Sequence, residues 1–347
     1  MNGENLKLKH RFDPKVWKKL LPFLKPFLGR FAWVCAVMVL VALSDIAIPL
    51  FQRYAVNNFI VPRSTGGLGV FTLVYVLMIA AQALMVVAFS RGCIAIEMYL
   101  SRDLKRATFV HLQKLPLSYY NKTAVGYILA RVMSDTTKIA TLVGWSLLDI
   151  FWSAIYVLGV FIAMLILNWH LALLVMAVVP AAAILTGIFQ GRILTVNRRV
   201  RSINSRMTGA YNEGISGAKT SKTLVIEDLN CREFSEITDN LYRNTLRATR
   251  LNAFFVPLVT FFGSLAAALV LQRGGYLVMG GALDFGMLSA FVSYALGIIE
   301  PIQQMAGIIA EFIATQVNIE RVTGLLEQKC EIEDSPEVIE KYGDCFS

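Results

Sequence analysis

Charged residues are scarce in this 347-residue chain, at 16% of the total, whereas hydrophobic residues make up 56%. Soluble globular chains average about 25% charged residues. A soluble protein of this length would need more polar side chains to cover its surface, so the composition excludes an ordinary soluble fold. The mean hydropathy is +0.58, and the long uncharged runs predict membrane-spanning helices.

Histidine is rare, and the cysteines are not paired in the sequence. The three histidines are scattered, and none of the five cysteines forms a CxxC pair or has a histidine at metal-ligand spacing. We therefore expect no catalytic nucleophile, no metal site and no disulfide framework. The cysteines are interpreted as small apolar filler or free thiols.

A phosphate-binding GxxxxGK[ST] loop is absent as well. The nearest approach, Gly217-Ala218-Lys219-Thr220, has an extra residue before the lysine and lacks the upstream glycine. We therefore expect no ATPase site and no bound cofactor in this chain.

Six apolar runs are long enough to cross a hydrocarbon layer of about 30 Å. They cover approximately residues 31–52, 68–90, 139–167, 171–189, 251–271 and 285–312. They predict an all-α membrane protein with six transmembrane helices. The run that begins at Phe31 continues without a small-residue cleavage site, so no cleavable signal peptide is expected.

The net charge of +9 could suggest nucleic-acid binding, but the distribution of the charges argues against it. Of the 33 Lys and Arg residues, 30 lie in segments 1–30, 91–138 and 192–250 or after residue 320. Basic residues stay on the cytoplasmic side during insertion. We therefore expect both termini and both long loops to be cytoplasmic, in a plasma membrane or bacterial inner membrane.

The two long loops keep a helical pattern. Ile96, Leu100, Leu104 and Val110 recur at helical spacing after the second run. A helix from Leu68 to Leu115 would be roughly 70 Å long. At their turns both loops have Tyr-Asn, then four intervening residues, then glycine, which suggests an internal repeat of two three-helix halves.

The N-terminal segment 1–30 contains a short amphipathic pattern. Val16, Trp17, Leu20 and Leu21 share one stripe, and the neighbouring lysines lie elsewhere. This pattern predicts an elbow helix at the headgroup level, or else a plain juxtamembrane linker.

These features together resemble the transmembrane domain of ABC exporters of the multidrug and lipid type. The most specific motifs are Tyr119-Tyr120-Asn121 with Gly126, Arg131 and Asp135, and Glu213 with Gly217, Lys222 and Glu227. The stretch from Gly275 to Phe291 and the exit Arg321-Val322 with Leu325-Leu326 also fit. The resemblance covers essentially the whole chain, with residues 31–326 as the six-helix domain.

The resemblance implies two coupling helices that dock on an ATPase domain, near 122–129 and 215–220. The implied coupling residues are Lys122, Thr123, Ala124, Val125, Gly126, Ile215, Ser216, Gly217, Ala218, Lys219 and Thr220. The tip glycines are expected where a sharp turn and close docking leave no room for side chains. Residues 327–347 are expected to lead into a nucleotide-binding domain that is missing here and would bind ATP and Mg²⁺. An enzymatic activity would therefore belong to the intact protein, as an ATP-hydrolysing translocase, and not to this chain by itself.

Charged residues inside spans are costly and usually face the bundle interior. Four carboxylates qualify, namely Asp45, Asp149, Glu300 and Glu311. Large rings suit apolar ligands without a fixed hydrogen-bond pattern. The substrate-path candidates are Asp45, Asp149, Glu300, Trp145, Phe255, Phe262, Phe291 and Tyr294, with polar helix contacts and lipid-facing packing as the alternative interpretations.

The sequence therefore predicts the membrane half of an ATP-driven exporter that moves hydrophobic or amphipathic drugs, lipids or peptides by alternating access. Its expected partners are membrane lipid, nucleotide-binding domains and a second half-transporter, identical or related. An ion-gradient-driven secondary transporter and a non-transporting regulatory subunit are the alternatives. A secondary transporter is expected to have broken helices with ion ligands at mid-membrane, and the continuous apolar runs argue against it.

Overall fold

The protein is described by a computed structural model that covers residues 14–328. Throughout this range the secondary structure is helical, with no strand. The predicted linker 327–347 lies almost wholly outside the described residues. The helices are α1 (Pro14–Lys18), α2 (Leu21–Leu24), α3 (Leu28–Ala55), α4 (Leu68–Lys114), α5 (Leu117–Lys122), α6 (Val125–Leu129), α7 (Thr136–Thr141), α8 (Leu147–Leu167), α9 (Trp169–Ser216), α10 (Ala218–Leu224), α11 (Glu227–Met279), α12 (Phe285–Gly297) and α13 (Ile299–Leu326).

Short segments of other helical types join some of these elements. Lys25–Phe27 is a 3₁₀ turn, and π-helical turns occupy Val56–Ile60, Ala130–Asp135 and Leu142–Ser146. The helical path therefore runs without a loop from Val125 to Leu167. The last of these π-turns contains Gly144 and Trp145.

Six continuous helical stretches are long and apolar enough to cross a membrane, as the sequence predicted. Each of these stretches contains 40 residues or more, and three of them are single uninterrupted α-helices. Helices α4, α9 and α11 contain 47, 48 and 53 residues. At a rise of 1.5 Å per residue they are about 70–80 Å long, more than twice the hydrocarbon thickness. The chain is a multi-pass membrane protein whose helices continue beyond the apolar runs.

The turns between spans are tighter than the sequence predicted. Asn168 alone separates α8 from α9, so Trp169 and His170 belong to the helix. The Asn168 side chain explains this, because its Oδ1 accepts from the backbone N–H groups of His170 and Leu171 at 3.1 and 3.2 Å. Helix α11 likewise continues to Met279, which leaves only residues 280–284 before α12.

The sixth span, Phe285–Leu326, is one helical stretch with a local irregularity at Ile298. Helix α12 ends at Gly297, and α13 begins at Ile299. Pro301 has no N–H to bond with the carbonyl four residues earlier, which is that of Gly297. The irregularity therefore has a local cause at the proline.

The chain divides into two compact units. Within the described residues, unit 1 comprises 14–42, 77–152 and 311–328, and unit 2 comprises 43–76 and 153–310. The core of unit 1 includes Leu20, Met38, Ile96, Leu100 and Ile319, all almost fully buried. Residues from α3, α4, α7 and α13 thus share one apolar core.

The N-terminal elbow packs on this core of unit 1. The Trp17 ring stacks on Phe312 with centroids 4.1 Å apart, and Leu20 is 1% exposed. Lys19 Nζ lies 2.6 Å from a Glu327 carboxylate oxygen. Of the predicted apolar stripe, Leu21 is 48% exposed. The other members pack on protein, so the stripe does not face outward as a whole.

Unit 2 is built on α9, α11 and α12. Tyr294 and Phe291 of α12 are fully buried, and the Tyr294 hydroxyl donates to the Ile46 carbonyl at 2.6 Å. The start of α12 sits tightly against the end of the first span. The Gly286 N–H donates to Asn57 Oδ1 at 2.9 Å, and a Cβ on Gly286 would lie 2.3 Å from the Arg53 carbonyl oxygen.

We expect Gly286→Ala to destabilise unit 2 by about 1–3 kcal/mol, because the methyl group must displace backbone. Gly275→Ala is the matched control, since a Cβ there meets nothing within 4 Å. It should be neutral or stabilising by about 0.5–1 kcal/mol. Thermal unfolding of the purified protein in detergent measures both, and equal melting temperatures for the two variants would contradict the packing argument.

Candidate coupling and substrate sites

The tip of the first hairpin, between α4 and α8, consists of two short helices rather than one. The predicted segment 122–129 is divided, because Lys122 ends α5, Thr123 and Ala124 are extended, and Val125 starts α6. The Tyr120 hydroxyl donates to the Leu112 carbonyl at 2.7 Å, which holds α5 against α4. Val125 is 75% exposed, so the tip presents an apolar residue outward.

This tip is attached to the end of the chain's last helix. Leu112, Leu115 and Ile128 form a small buried cluster with Leu325 of α13. Arg321 and Asp135 add a long ion pair at 4.0 Å, with the Asp135 side chain almost fully buried. Within unit 1, the first hairpin and the exit of α13 therefore form one packed assembly.

The tip of the second hairpin lies between α9 and α11. Ile215 and Ser216 finish α9, Gly217 forms the turn, and Ala218, Lys219 and Thr220 begin α10, which continues to Leu224. Val225 then adopts a left-handed conformation with φ 54°. The short helix is thus α10, three residues later than the predicted segment 215–220.

Only one of the three tip glycines is required by the turn itself. A Cβ on Gly217 would lie 2.8 Å from the Glu213 carbonyl oxygen, whereas Gly126 and Gly214 meet nothing within 4 Å. The predicted steric need within the chain is therefore seen at Gly217 only. At Gly126 and Gly214 it would have to come from another protein domain.

A polar cluster in unit 1 connects α4 with the π-turn before α8. One Glu97 carboxylate oxygen accepts from Thr141 Oγ1 at 2.6 Å, and the other accepts from Trp145 Nε1 at 2.9 Å. A Cβ on Gly144 would lie 2.9 Å from the Glu97 Cβ, so glycine allows the two helices to approach this closely. Trp145 is therefore held as a partner of a carboxylate.

Sequence reasoning missed Glu97, although its spacing contains the signal. Cys93, Ile96, Leu100 and Leu104 form the buried stripe of α4, and Glu97 lies four residues after the first and three before the third. Residues at these spacings share a helix face. A carboxylate beside an apolar stripe predicts a polar partner on the neighbouring helix.

Two further carboxylates of unit 1 lie together. Ser146 Oγ donates to Glu311 Oε2 at 3.0 Å, and Asp149 lies close enough to Glu311 for their charges to interact. Asp149 is half-buried, and Glu311 is exposed. The structure thus brings Asp149 and Trp145 into the same unit, together with Glu97 and Glu311.

The remaining carboxylate candidates lie in unit 2. Asp45 of α3 and Glu300 of α13 are both near enough to Tyr156 of α8 to interact electrostatically with it. Glu300 is exposed and accepts from Gln304 Nε2 at 3.3 Å. Asp45 and Glu300 thus both lie near Tyr156 and belong to unit 2, whereas Asp149 and Glu311 belong to unit 1.

The aromatic candidates differ strongly in exposure. Phe291 and Tyr294 are 0% exposed, and Phe255 is 6% exposed and stacked on Phe189 with centroids 6.0 Å apart. Phe262 is half-buried. In this conformation Phe291, Tyr294 and Phe255 serve as core packing, and among the four only Phe262 presents substantial surface to a ligand.

The model of the ABC transporter transmembrane region matches residues 31–302, more than half of the sequence and including both hairpins. The chain belongs to this family. Helices α4, α9 and α11 and their hairpin tips are therefore parts of an ABC transporter membrane domain.

Individual relatives are similar over most of the chain. An ATP-dependent lipid A-core flippase of Desulfotalea psychrophila (strain LSv54 / DSM 12343) is 23% identical over 327 residues, covering 93% of this chain and 56% of the flippase. The putative multidrug export ATP-binding/permease protein YgaD of Bacillus subtilis (strain 168) is 24% identical over 333 residues, covering 93% of this chain and 57% of YgaD. The chain spans about half the length of these curated relatives.

We expect Glu97 and Trp145 to be energetically coupled. In a double-mutant cycle, Glu97→Ala and Trp145→Phe should show an interaction of about 1–2 kcal/mol, because a charged hydrogen bond is lost only once. The control cycle pairs Glu97→Ala with Trp152→Phe, about 10 Å further along the helix, and should be additive. Unfolding in detergent measures both cycles, and additivity in the first would refute the coupling.

Proposed function

We propose that this chain is the substrate-translocating membrane half of an ATP-driven exporter. The observation that carries the proposal is the pair of long helical hairpins ending in α5–α6 and α10, on a chain of the ABC transporter transmembrane family. The helices continue some 40 Å beyond the hydrocarbon layer, further than spanning the membrane requires. The proposed function of these extensions is to transmit movement from an ATPase domain to the membrane-spanning segments.

The proposed coupling surfaces are the two hairpin tips. Val125 and Ile215 are each 75% exposed, and Leu224 is 61% exposed. Large apolar side chains exposed outside a membrane mark interaction sites. The proposed partner is a nucleotide-binding domain in a longer protein, where it would bind ATP and Mg²⁺. The names of the two relatives, which include "ATP-dependent" and "ATP-binding", support this partner.

The proposed substrates are hydrophobic or amphipathic compounds. The relatives' names, lipid A-core flippase and multidrug export protein, support this class. In unit 2, Glu300 is exposed and Phe262 is half-buried, and they offer acidic and aromatic surface. In unit 1, Asp149 and Glu311 offer acidic surface. A carboxylate in apolar surroundings attracts a cation. Such groups favour amphiphiles that carry a positive charge.

The proposed assembly contains two membrane halves, with a second copy or a related half-transporter as the partner. Both chain termini and both hairpin tips are proposed to lie in the cytoplasm. The basic residues concentrated in segments 91–138 and 192–250 support this orientation. The bacterial relatives favour a bacterial inner membrane as the location.

Transport in proteoliposomes tests the coupling surfaces. In the full-length protein with its nucleotide-binding domain, Val125→Glu and Ile215→Glu should each reduce ATP-dependent substrate uptake by about tenfold, the effect of losing roughly 1.4 kcal/mol of docking energy. Tyr242→Glu is the control, because Tyr242 is similarly exposed at 66% but lies further along α11.

ATP hydrolysis should persist in both tip variants and lose its stimulation by substrate. Uptake that continues after removal of the attacking-water carboxylate of the nucleotide-binding domain would refute an ATP-driven mechanism and favour an ion gradient. Equal transport by all three glutamate variants would instead show that the tips carry no coupling.

Membrane-impermeant maleimide labelling tests the orientation. With Cys231→Ser, Cys330→Ser and Cys345→Ser as background, Thr123→Cys and Thr220→Cys should be labelled in inverted vesicles but not in right-side-out vesicles. Thr65→Cys, between α3 and α4, should show the opposite pattern. Labelling of Thr123→Cys and Thr220→Cys from different sides would overturn the proposed topology.

A further inference from the structure

Two guanidinium groups of unit 1 lie against one aromatic ring, that of Tyr99 in α4. The Arg30 Cζ, from α3, lies 4.5 Å from the centre of this ring, and the Arg102 Cζ, from α4, lies 5.1 Å from it. Phe27 stacks on the same ring with centroids 6.0 Å apart. Cation–π attraction offsets part of the repulsion between the two cations, so Tyr99 keeps them near one another. Neither the family match nor the proposed function assigns a ligand to this pair.

The positive charge of the pair is only partly neutralised. Asp103 Oδ1 accepts from the Arg102 Nε at 2.8 Å. Among the described residues no carboxylate forms an ion pair with Arg30, and the sequence has no acidic residue from 14 to 44. Glu97, the other carboxylate of this part of α4, is already held by two donors. The remaining positive charge favours an anionic ligand, and the guanidinium group is suited to bind phosphate.

The pair lies at the level expected for phospholipid headgroups. Arg30 directly precedes the apolar run that begins at Phe31, and both arginines are exposed. Because Phe27 stacks on Tyr99, the ring lies level with a residue four positions before Phe31, about 6 Å from the start of the run along the helix. The headgroup region adds about 5–7 Å on each side of the hydrocarbon layer.

The surface on the membrane side of Arg30 is apolar. Trp33 and Leu40 of α3 are exposed, and no charged residue occurs between Arg30 and Asp45. Trp33 lies three residues after Arg30, and Leu40 lies seven residues after Trp33, so all three share one side of the helix. A free phosphate would use the cations alone. The combination of a cationic pair with an adjoining apolar stripe matches a phosphate that is attached to acyl chains.

We propose that Arg30 and Arg102, held by Tyr99, bind the phosphate of an anionic phospholipid whose acyl chain lies along the apolar side of α3. An anionic headgroup is selected because a zwitterionic one would bring its own cation next to the pair. The bound phosphate links the start of α3 to the extension of α4. The site does not depend on the proposed transport function, because this lipid is a component of the surrounding membrane and not a transported substrate.

Native mass spectrometry of the full-length protein in detergent tests the site. Phosphatidylglycerol is titrated, and the dissociation constant of the first bound lipid is compared among variants. Arg30→Gln and Arg102→Gln should each weaken binding about fivefold, and the double variant about tenfold or more, the scale expected of a cation near an anionic lipid. Arg106→Gln is the matched control, because Arg106 is exposed on the same helix but is not one of the cations at the Tyr99 ring. It should leave the constant nearly unchanged.

The Tyr99 ring distinguishes a specific site from a generally positive surface. Tyr99→Leu keeps every charge but releases both guanidinium groups, so binding should weaken about threefold, whereas Tyr99→Phe should bind like the unchanged protein. Equal effects of Arg30→Gln and Arg106→Gln, or undiminished binding by Tyr99→Leu, would show non-specific attraction and overturn the site. Arg30→Gln keeps the test decisive if Tyr99→Leu fails to fold, because Arg30 is exposed.

Two ligand controls identify the occupant. Phosphatidylcholine should bind the unchanged protein more weakly than phosphatidylglycerol, and the double variant should lose this preference. Equal binding of the two lipids by the unchanged protein would overturn the anionic headgroup. Displacement of phosphatidylglycerol by millimolar inorganic phosphate would show that the arginines bind free phosphate, and would overturn the lipid as the occupant.

Discussion

Backbone hydrogen bonding in hydrocarbon is the constraint on which the rest of this structure depends. No water satisfies N–H and C=O groups inside a bilayer, so a spanning segment must supply its own partners as a helix. The six long helices obey this rule, and each interruption has an identifiable replacement or cause. Asn168 caps α9, Asn57 accepts from the start of α12, and Pro301 explains the irregularity between α12 and α13.

The polar contacts between helices follow from the same constraint. A carboxylate beside an apolar helix face needs donors, and Glu97 obtains two from Thr141 and Trp145. Glycine makes this possible, because Gly144 lets the backbone of one helix approach the other. The close approach of the two helices and the hydrogen bond together position Glu97 and Trp145. Any role of Trp145 towards substrate would therefore involve a side chain that is already hydrogen-bonded.

The two hairpin tips, which lie beyond the apolar segments, are held in place in different ways. The first tip is anchored within unit 1, through Tyr120 on α4 and through the cluster with Leu325. The second is a tight turn at Gly217 that leads into α10. Both leave apolar side chains exposed, which is the property that the proposed docking to a nucleotide-binding domain requires.

The sequence by itself determined the helical class, the six spans and the long extensions, because hydropathy and helical spacing are local properties of the chain. It located the hairpin tips to within a few residues but not the break at Thr123–Ala124 or the start of α10 at Ala218. Only the tertiary structure decided that Phe291 and Tyr294 are buried and that Glu97 pairs with Trp145. These outcomes depend on which helix faces meet, and residues far apart in the chain decide that by their shape.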